Sequence, residues 1–134
     1  MKFQTSLQTS SRFSDVIMAT DVAIGCLGAT RLYGQNGLYQ IQLVLAELVA
    51  NSVEHGNKFD LSKSVEIKME TVNDDTTISV IDDGPGIDPA VLDKLHNPES
   101  LRGHGLHMVK QITGNLGVKD GHIFTILIQN KHKE

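Results

Sequence analysis

The sequence predicts an α+β protein built as a two-layer α/β sandwich, with a mixed, mostly antiparallel sheet covered on one face by helices. Three observations support this fold class. Helical patterns precede residue 56, a hairpin of strands follows between residues 64 and 82, and a helix and a final strand come last. Because 134 residues can enclose one core and no repeat or long linker divides them, residues 1–134 are predicted to form a single domain.

The first elements are predicted to be a strand and a helix. Residues Phe3 to Leu7 suit a short strand at the edge of the sheet. Ser11 or Ser14 can cap the helix that follows. Cys26 lies in an apolar context and is expected to be a small core residue without chemistry of its own. The apolar positions of this helix include Phe13, Ile17, Ile24 and Leu27.

A second helix carries the first candidate site. It is predicted from about Leu38 to His55, after a turn over Gly34 to Gly37 and before a stop at residues 56 and 57. Glu47 and Asn51, one turn apart, form a polar stripe beside the apolar face. Such a pair suits a hard cation such as Mg²⁺, or one member can hold the metal while the other takes a proton. For an isolated pair, an ordinary solvated helix face is the more common explanation, and only the rest of the sequence favours a site. The residues that share the neighbouring face are Ile41, Leu45, Leu48 and Ser52.

A hairpin then leads to the second candidate site. Apolar and charged residues alternate from Val65 to Glu70, which is typical of a half-buried strand, and Asn73 to Asp75 supplies the turn. The returning strand, Thr76 to Ile81, delivers Asp82 to the start of an Asp-Asp-Gly-Pro-Gly motif. A carboxylate there can accept hydrogen bonds from the amine of adenine and would repel the carbonyl of guanine. The glycines allow a group to lie flat against the backbone. An ordinary acidic turn fits this motif alone about as well.

The third candidate site begins the last predicted helix. A loop from Asp88 to Arg102 leads to Gly103-His104-Gly105-Leu106, and a last strand runs from Ile123 to Ile128. Exposed N–H groups and the positive end of the dipole at a helix start favour an anion such as phosphate. Position 108 is Met rather than the third glycine of a dinucleotide fingerprint, and no P-loop sequence occurs, which argues against both of those sites. The apolar positions of this helix are Leu106, Val109 and Ile112.

Composition argues against several other functions. Lys and Arg number 12 against 16 Asp and Glu, with no run of like charges, so no nucleic-acid partner is expected. Of six histidines only His104 and His107 have helical spacing, and no zinc motif joins them. No motif predicts acyl transfer. The N-terminus lacks an apolar export segment, and Leu32 to Ala46 is interrupted by polar residues and glycines, so we expect a cytoplasmic protein without membrane association.

In order and spacing, the three candidate sites resemble the N, G1 and G2 boxes of the Bergerat-fold ATPases. This superfamily contains gyrase, heat-shock-90 chaperones, MutL-type repair proteins and histidine kinases. Within it, residues 47–58 and 80–89 look most like the stand-alone anti-sigma-factor serine/threonine kinases, and residues 97–106 continue the similarity into a short lid. The resemblance covers roughly positions 10 to 128.

The resemblance implies a role for each motif. Asn51 would be the Mg²⁺ ligand, Asp82 would read adenine, and Gly84 and Gly86 would form a floor beneath the base. Glu47 would be the general base, which in-line transfer of a phosphoryl group to a hydroxyl also requires on physical grounds. Histidine kinases usually have Asn at the position of Glu47, so this residue favours a hydroxyl or water as acceptor. The residues expected to bind the nucleotide are Asn51, His55, Asp82, Gly84, Gly86, Ile87, Arg102, Gly103, His104, Gly105 and Leu106.

One residue departs from the pattern of the anti-sigma kinases. Many of them have Arg between the two glycines of the third box, where this chain has His104, an imidazole that is fully charged only at acidic pH. Clamping of phosphate is therefore expected to be weaker or to depend on pH. Arg102, one place before the glycine, is the candidate substitute.

The resemblance also implies cofactors and partners. ATP and Mg²⁺ would be bound, the substrate would be a serine or threonine of a STAS-like anti-anti-sigma protein, and a target such as a sigma factor would be sequestered by a homodimer. The N-terminal strand and first helix are the expected partner surface. Two alternatives remain: a non-catalytic ATP-dependent binding switch, which His104 favours, and the catalytic domain of a histidine kinase, which Glu47 disfavours.

Overall fold

The computed structural model describes residues 3–73, 75–90 and 104–128, with the side chains at positions 104, 127 and 128 excepted. Residues 91–103 of the predicted loop and lid, which include the predicted site residues Arg102 and Gly103, lie outside this range. The strands are β1 (Phe3–Ser10), β2 (Ser64–Val72), β3 (Asp75–Asp82), β4 (Gly117–Lys119) and β5 (His122–Ile128). The helices are α1 (Phe13–Ala29), α2 (Gln35–Asn51) and α3 (His104–Thr113), and α2 continues into a π-helical turn, Ser52–Gly56.

The described strands form one five-stranded sheet in the order β1-β2-β3-β5-β4, and each pairing among them is antiparallel. In register, Ile67 of β2 lies between Leu7 of β1 and Val80 of β3. Side chains of β2 alternate as predicted, since Ile67 is buried and Lys68 is exposed. All three helices pack on the face that carries Ile67, which confirms the two-layer α+β prediction. The sequence predicts a mixed sheet, whereas every pairing among the described strands is antiparallel.

The helix α2 buries the face that the sequence predicts, and the four predicted residues of that face are all buried. It begins earlier than expected, because Gly34 is the N-cap and residues 35–37 already belong to the helix rather than to a turn. At the other end, the N–H of Asn57 donates to the carbonyl of Ser52 at 2.8 Å, an i→i+5 bond that defines the π-helical turn. This wider turn carries His55 and Gly56 toward the end of β3.

The helix α1 differs from its prediction in the face that it buries. Its buried residues are Val16, Thr20, Ala23 and Leu27. Phe13 and Ile17, which were predicted as apolar positions facing the core, are 78% and 44% exposed. Cys26 is exposed rather than in the core, since it lies about 100° around the helix from Leu27. Apolar residues occur on nearly every side of α1, so periodicity could not select the buried face.

The predicted cap of α1 is also wrong. The N-cap position is Arg12, and no side chain there makes a capping hydrogen bond. Ser11 is buried, donating to the carbonyl of Lys63 at 2.9 Å and accepting from Asn57 at 2.8 Å. Ser14 lies inside the helix.

The last two strands form a second hairpin. The sequence prediction missed β4, which has three residues, and placed the start of β5 one residue late. Asp120 and Gly121 form the turn with positive φ values of 53° and 81°. Among the described residues, no helix is long and apolar enough to cross a membrane.

Candidate functional site

A cavity of about 240 Å³ lies between the end of α2, the end of β3 and the turn between β4 and β5. It brings together residues from two of the three predicted motifs. Five predicted site residues line it: Asn51, His55, Asp82, Gly86 and Ile87. The other lining residues are Leu48, Ser52, Gly56, Val80, Pro85, Gly121, His122 and Ile123.

The two adjacent acids at the end of β3 have different positions. Asp82 is the last residue of the strand and lies on the helix side with Val80, so its carboxylate lines the cavity. Its Oδ1 accepts a hydrogen bond from the N–H of Gly84 at 2.8 Å. The Oδ2 of Asp83 instead accepts from the N–H of Ser64 at 2.7 Å. Asp82 is therefore the acid available to a ligand, while Asp83 ties the loop to β2.

Two glycines pack closely around Asp82. A Cβ added to Gly56 would overlap the carboxylate of Asp82, and a Cβ added to Gly84 would overlap the carbonyl oxygen of Gly56. The π-helical turn and the loop after β3 thus touch where only glycine fits. From the sequence, Gly56 is predicted only as a helix stop, because this contact joins residues that are distant in sequence.

Asn57 is a further site residue that sequence reasoning missed. It is fully buried, and its Nδ2 donates to the Oγ of Ser11 at 2.8 Å and to the carbonyl of Ser64 at 2.9 Å. Its Oδ1 accepts from the N–H of Asp83 at 2.8 Å. One amide thus joins the π-helical turn to β2 and to the loop after β3. An Asn directly after the glycine that ends a predicted helix is the sequence signal that could have indicated this role.

The opposite wall of the cavity comes from the turn between β4 and β5. Gly86 has a φ of 88°, and a Cβ added to it would lie 3.3 Å from the Cα of Gly121. The N–H of Ile87 donates to the carbonyl of Gly121 at 2.8 Å. This wall includes His122, which sequence reasoning missed because it did not predict β4.

The third predicted motif meets the first through Glu47. A Cβ added to Gly105 would overlap the carboxylate of Glu47, so this half-buried side chain lies against the first turn of α3. Leu106 is 3% exposed and its side chain packs in the core, which leaves only its backbone to face a ligand. The side chain of His104 lies outside the described residues, as do Arg102 and Gly103.

These contacts define a class of protein, a two-layer α+β domain with a cavity at the junction of its helices and sheet that is lined by apolar residues and a few polar ones. Residues 12–127 match the family model described as the histidine kinase-like ATPase domain, and the chain belongs to that family. A search of curated proteins finds no match. Among solved structures, the nucleotide-free catalytic domain of histidine kinase ThkA aligns with a TM-score of 0.56 and 17% identity, over 92% of each chain. The predicted Bergerat-type ATPase fold is thereby confirmed.

Proposed function

We propose that this domain binds Mg-ATP and transfers the γ-phosphoryl group to a serine or threonine of a small STAS-like protein, as anti-sigma-factor kinases do. The observation that carries the proposal is the position of Glu47. This carboxylate stands one helical turn from Asn51, which lines the cavity, and against Gly105 in the first turn of α3. This carboxylate lies beside a helix start, where phosphate groups are favoured, and that position supports its assignment as the proton acceptor.

The cavity supports binding of the nucleoside part of ATP. Asp82 offers a carboxylate that can accept hydrogen bonds from the amine of adenine, and Gly86 lines the same cavity. Complete sites for small molecules occupy roughly 300–1,000 Å³. A cavity of about 240 Å³ therefore suits the base and sugar, with the phosphates extending along α2 toward α3.

The residues also fit a bound magnesium ion. Within the described ranges, no group of three or more His, Cys, Asp or Glu side chains could hold a metal unaided. Mg²⁺ at phosphoryl-transfer sites commonly takes one or two protein ligands and completes its shell with phosphate oxygens and water. The amide oxygen of Asn51 fits that role. When bound, the ion would neutralise charge that develops on the phosphates.

Glu47 would act as general base in the transfer. The substrate hydroxyl oxygen bonds to the γ-phosphorus while the bond from that phosphorus to the bridging oxygen breaks, and ADP leaves with the electron pair. Glu47 takes the hydroxyl proton. A positioned base of this kind typically contributes about 10²- to 10⁴-fold to the rate. The partners implied by the resemblance, a sequestered target such as a sigma factor and a second copy of this chain, complete the proposed cytoplasmic switch.

Two measurements test the proposal. Titration calorimetry with Mg²⁺ and a non-hydrolysable ATP analogue measures binding, and γ-labelled ATP mixed with each purified STAS-type protein of the same genome measures transfer. We expect Glu47→Gln to lower labelling of the protein serine or threonine by about 100-fold or more while leaving nucleotide affinity within about threefold. The matched control is Glu70→Gln, on the exposed face of β2, which should change neither.

The alternative function is a switch that loads nucleotide and changes partner affinity without transferring phosphate. His104, in place of the usual arginine of the third box, favours it. Nucleotide-dependent binding of a STAS protein with no label in wild type would support this alternative and contradict the kinase. Absence of nucleotide uptake with Mg²⁺ present would contradict both.

A further inference from the structure

A second concave surface lies on the outer side of the helix layer. It is a groove of about 360 Å³ between α1 and α2, here called the α1–α2 groove. Its floor includes Val16 and Val49, and its walls include Phe13, Ile17 and Phe59. These wall residues are 78%, 44% and 66% exposed, which is unusual for side chains of this size clustered together.

The groove explains why two apolar residues of α1 are on the surface. Phe13 and Ile17 are one helical turn apart and both line this groove, while a different face of the same helix is buried in the core. A loop of five residues joins α1 to α2, so the two helices run antiparallel. The wall from Phe13 to Asp21 is therefore about 12 Å long, which matches about two turns of a helix laid between them.

The charges of the groove select its occupant. The charged residues that line it, among those described, are Asp21 and Glu54, both acidic. Because the helices are antiparallel, Asp21 lies toward one end of the groove and Glu54 toward the other. Two copies of this face meeting across a two-fold axis would bring carboxylates together, which is unfavourable, whereas basic residues flanking an apolar stripe would be complementary.

We propose that the α1–α2 groove binds an amphipathic helix of a partner protein, with apolar anchors one turn apart and Lys or Arg at both ends. Such helix-in-groove recognition uses anchors at i, i+4 and i+7. The apolar anchors would fill the space between Phe13, Ile17 and Phe59. The flanking cations would meet Asp21 and Glu54. This binding does not require phosphate transfer, so it can be tested independently of the proposed kinase activity.

The test uses three synthetic peptides of equal length and measures their binding by fluorescence anisotropy. The first has Leu anchors and flanking Lys, the second has the same anchors and flanking Glu, and the third has flanking Lys but Ser in place of the anchors. We expect the first to bind at least about tenfold more tightly than either other peptide, with the advantage over the Glu peptide falling as salt is raised.

Variants of the protein locate the binding. Ile17→Ser should weaken binding of the Lys-flanked peptide by about tenfold, because Ile17 forms a wall of the groove. The matched control Tyr39→Ser changes a residue that is 61% exposed on α2 outside the groove, and it should have an effect of less than about twofold. The double variant Asp21→Lys, Glu54→Lys should reverse the preference between the two Leu-anchored peptides. Circular dichroism checks that each variant is folded.

Several results would overturn the proposal. Equal affinity for the Lys-flanked and Glu-flanked peptides would do so, as would equal effects of Ile17→Ser and Tyr39→Ser. A wild-type dimer that Ile17→Ser converts to a monomer in sedimentation would assign the groove to a second copy instead. Binding to vesicles of phosphatidylcholine and phosphatidylglycerol that is lost in Ile17→Ser would assign it to a lipid surface.

Discussion

The carboxylate of Glu47 lies directly against Gly105, although one residue belongs to α2 and the other to the first turn of α3. The absence of a side chain at position 105 is what permits this contact. The atoms that a Cβ would meet are the far end of a flexible side chain, so a larger residue there would displace Glu47 rather than the backbone. The position of the proposed base therefore depends on a glycine in another motif.

Gly105→Ala should lower phosphate transfer without lowering the free energy of unfolding. Alanine is favoured over glycine in a helix by about 0.5–1 kcal/mol, so the free energy of unfolding should stay the same or rise. Displacement of Glu47 should lower phosphate transfer to a partner by about tenfold or more. Thermal unfolding and labelling with γ-labelled ATP measure the two effects. Unchanged transfer would mean that the contact with Gly105 does not position Glu47.

Gly84→Ala should have the opposite effect on stability. Its Cβ would overlap the backbone carbonyl of Gly56, which cannot move aside as a flexible side chain can. We expect a loss of about 1–3 kcal/mol in the free energy of unfolding, measured by urea denaturation. The matched control is Gly25→Ala in α1, where a Cβ meets nothing within 4 Å and the change should stabilise the protein. Equal effects of the two substitutions would contradict this account.

Asp82→Asn tests whether Asp82 selects adenine over guanine. Replacing one carboxylate oxygen by an amide donor removes a charged acceptor, and hydrogen bonds to charged groups contribute about 1.5–3 kcal/mol. We therefore expect affinity for ATP to fall by about ten- to hundredfold, with a much smaller fall for GTP. Competition titrations measure both. As a control, Asp83→Asn should leave the preference for adenine intact, because that side chain bonds to Ser64 and does not line the cavity.

Asn57→Ala should destabilise the fold. The substitution would remove three hydrogen bonds and leave the carbonyl of Ser64 and the N–H of Asp83 without this buried partner. We expect the free energy of unfolding to fall by about 2–3 kcal/mol in urea denaturation. Gln4→Ala, at an exposed position of β1, should change it by less than about 0.5 kcal/mol. A similarly small change for Asn57→Ala would mean that water replaces the amide at little cost.

The pKa of the exposed Asp60 provides a test of local structure after the π-helical turn. The side-chain hydroxyl of Ser62 and then its backbone N–H donate to this carboxylate and hold its pKa below the ordinary value. Ser62→Ala should raise the pKa of Asp60 partway back, measured by carbon NMR titration, and Ser79→Ala should not. A lowered pKa in the folded state means that ionised Asp60 stabilises the fold above its unfolded pKa, and that this contribution is lost as pH falls through the folded pKa.

The elements that could be predicted are those with one clear periodicity. From Val65 to Glu70 of β2, apolar and charged residues alternate, so only one face could be buried, and the structure agrees. The apolar face of α2 is equally clear, which correctly set Glu47 and Asn51 beside it. In α1, by contrast, Phe13, Val16 and Ile17 are all apolar, and packing against α2 and the sheet decided which of them became buried.

What could not be predicted depends on contacts between distant segments. The strand β4 has three residues, too few to show a period. The contact between Gly56 and Gly84 and the wall formed by Gly121 arise only when the sheet assembles, and no local signal distinguishes these glycines from ordinary turn residues. The three motifs were recognisable because their order reflects a family, while the backbone that joins them had to be seen in the structure.

The π-helical turn Ser52–Gly56 has one further consequence. His55 and Gly56 line the cavity beside Asp82, whereas Val53 and Glu54 line the α1–α2 groove, so these five residues form a partition between the two. If a nucleotide in the cavity changes the affinity of the groove for its partner by some factor, a partner in the groove must change the affinity of the cavity for the nucleotide by the same factor. This follows because free energies around a closed cycle sum to zero. The partition Ser52–Gly56 is therefore the segment through which the two proposed ligands would affect each other's binding.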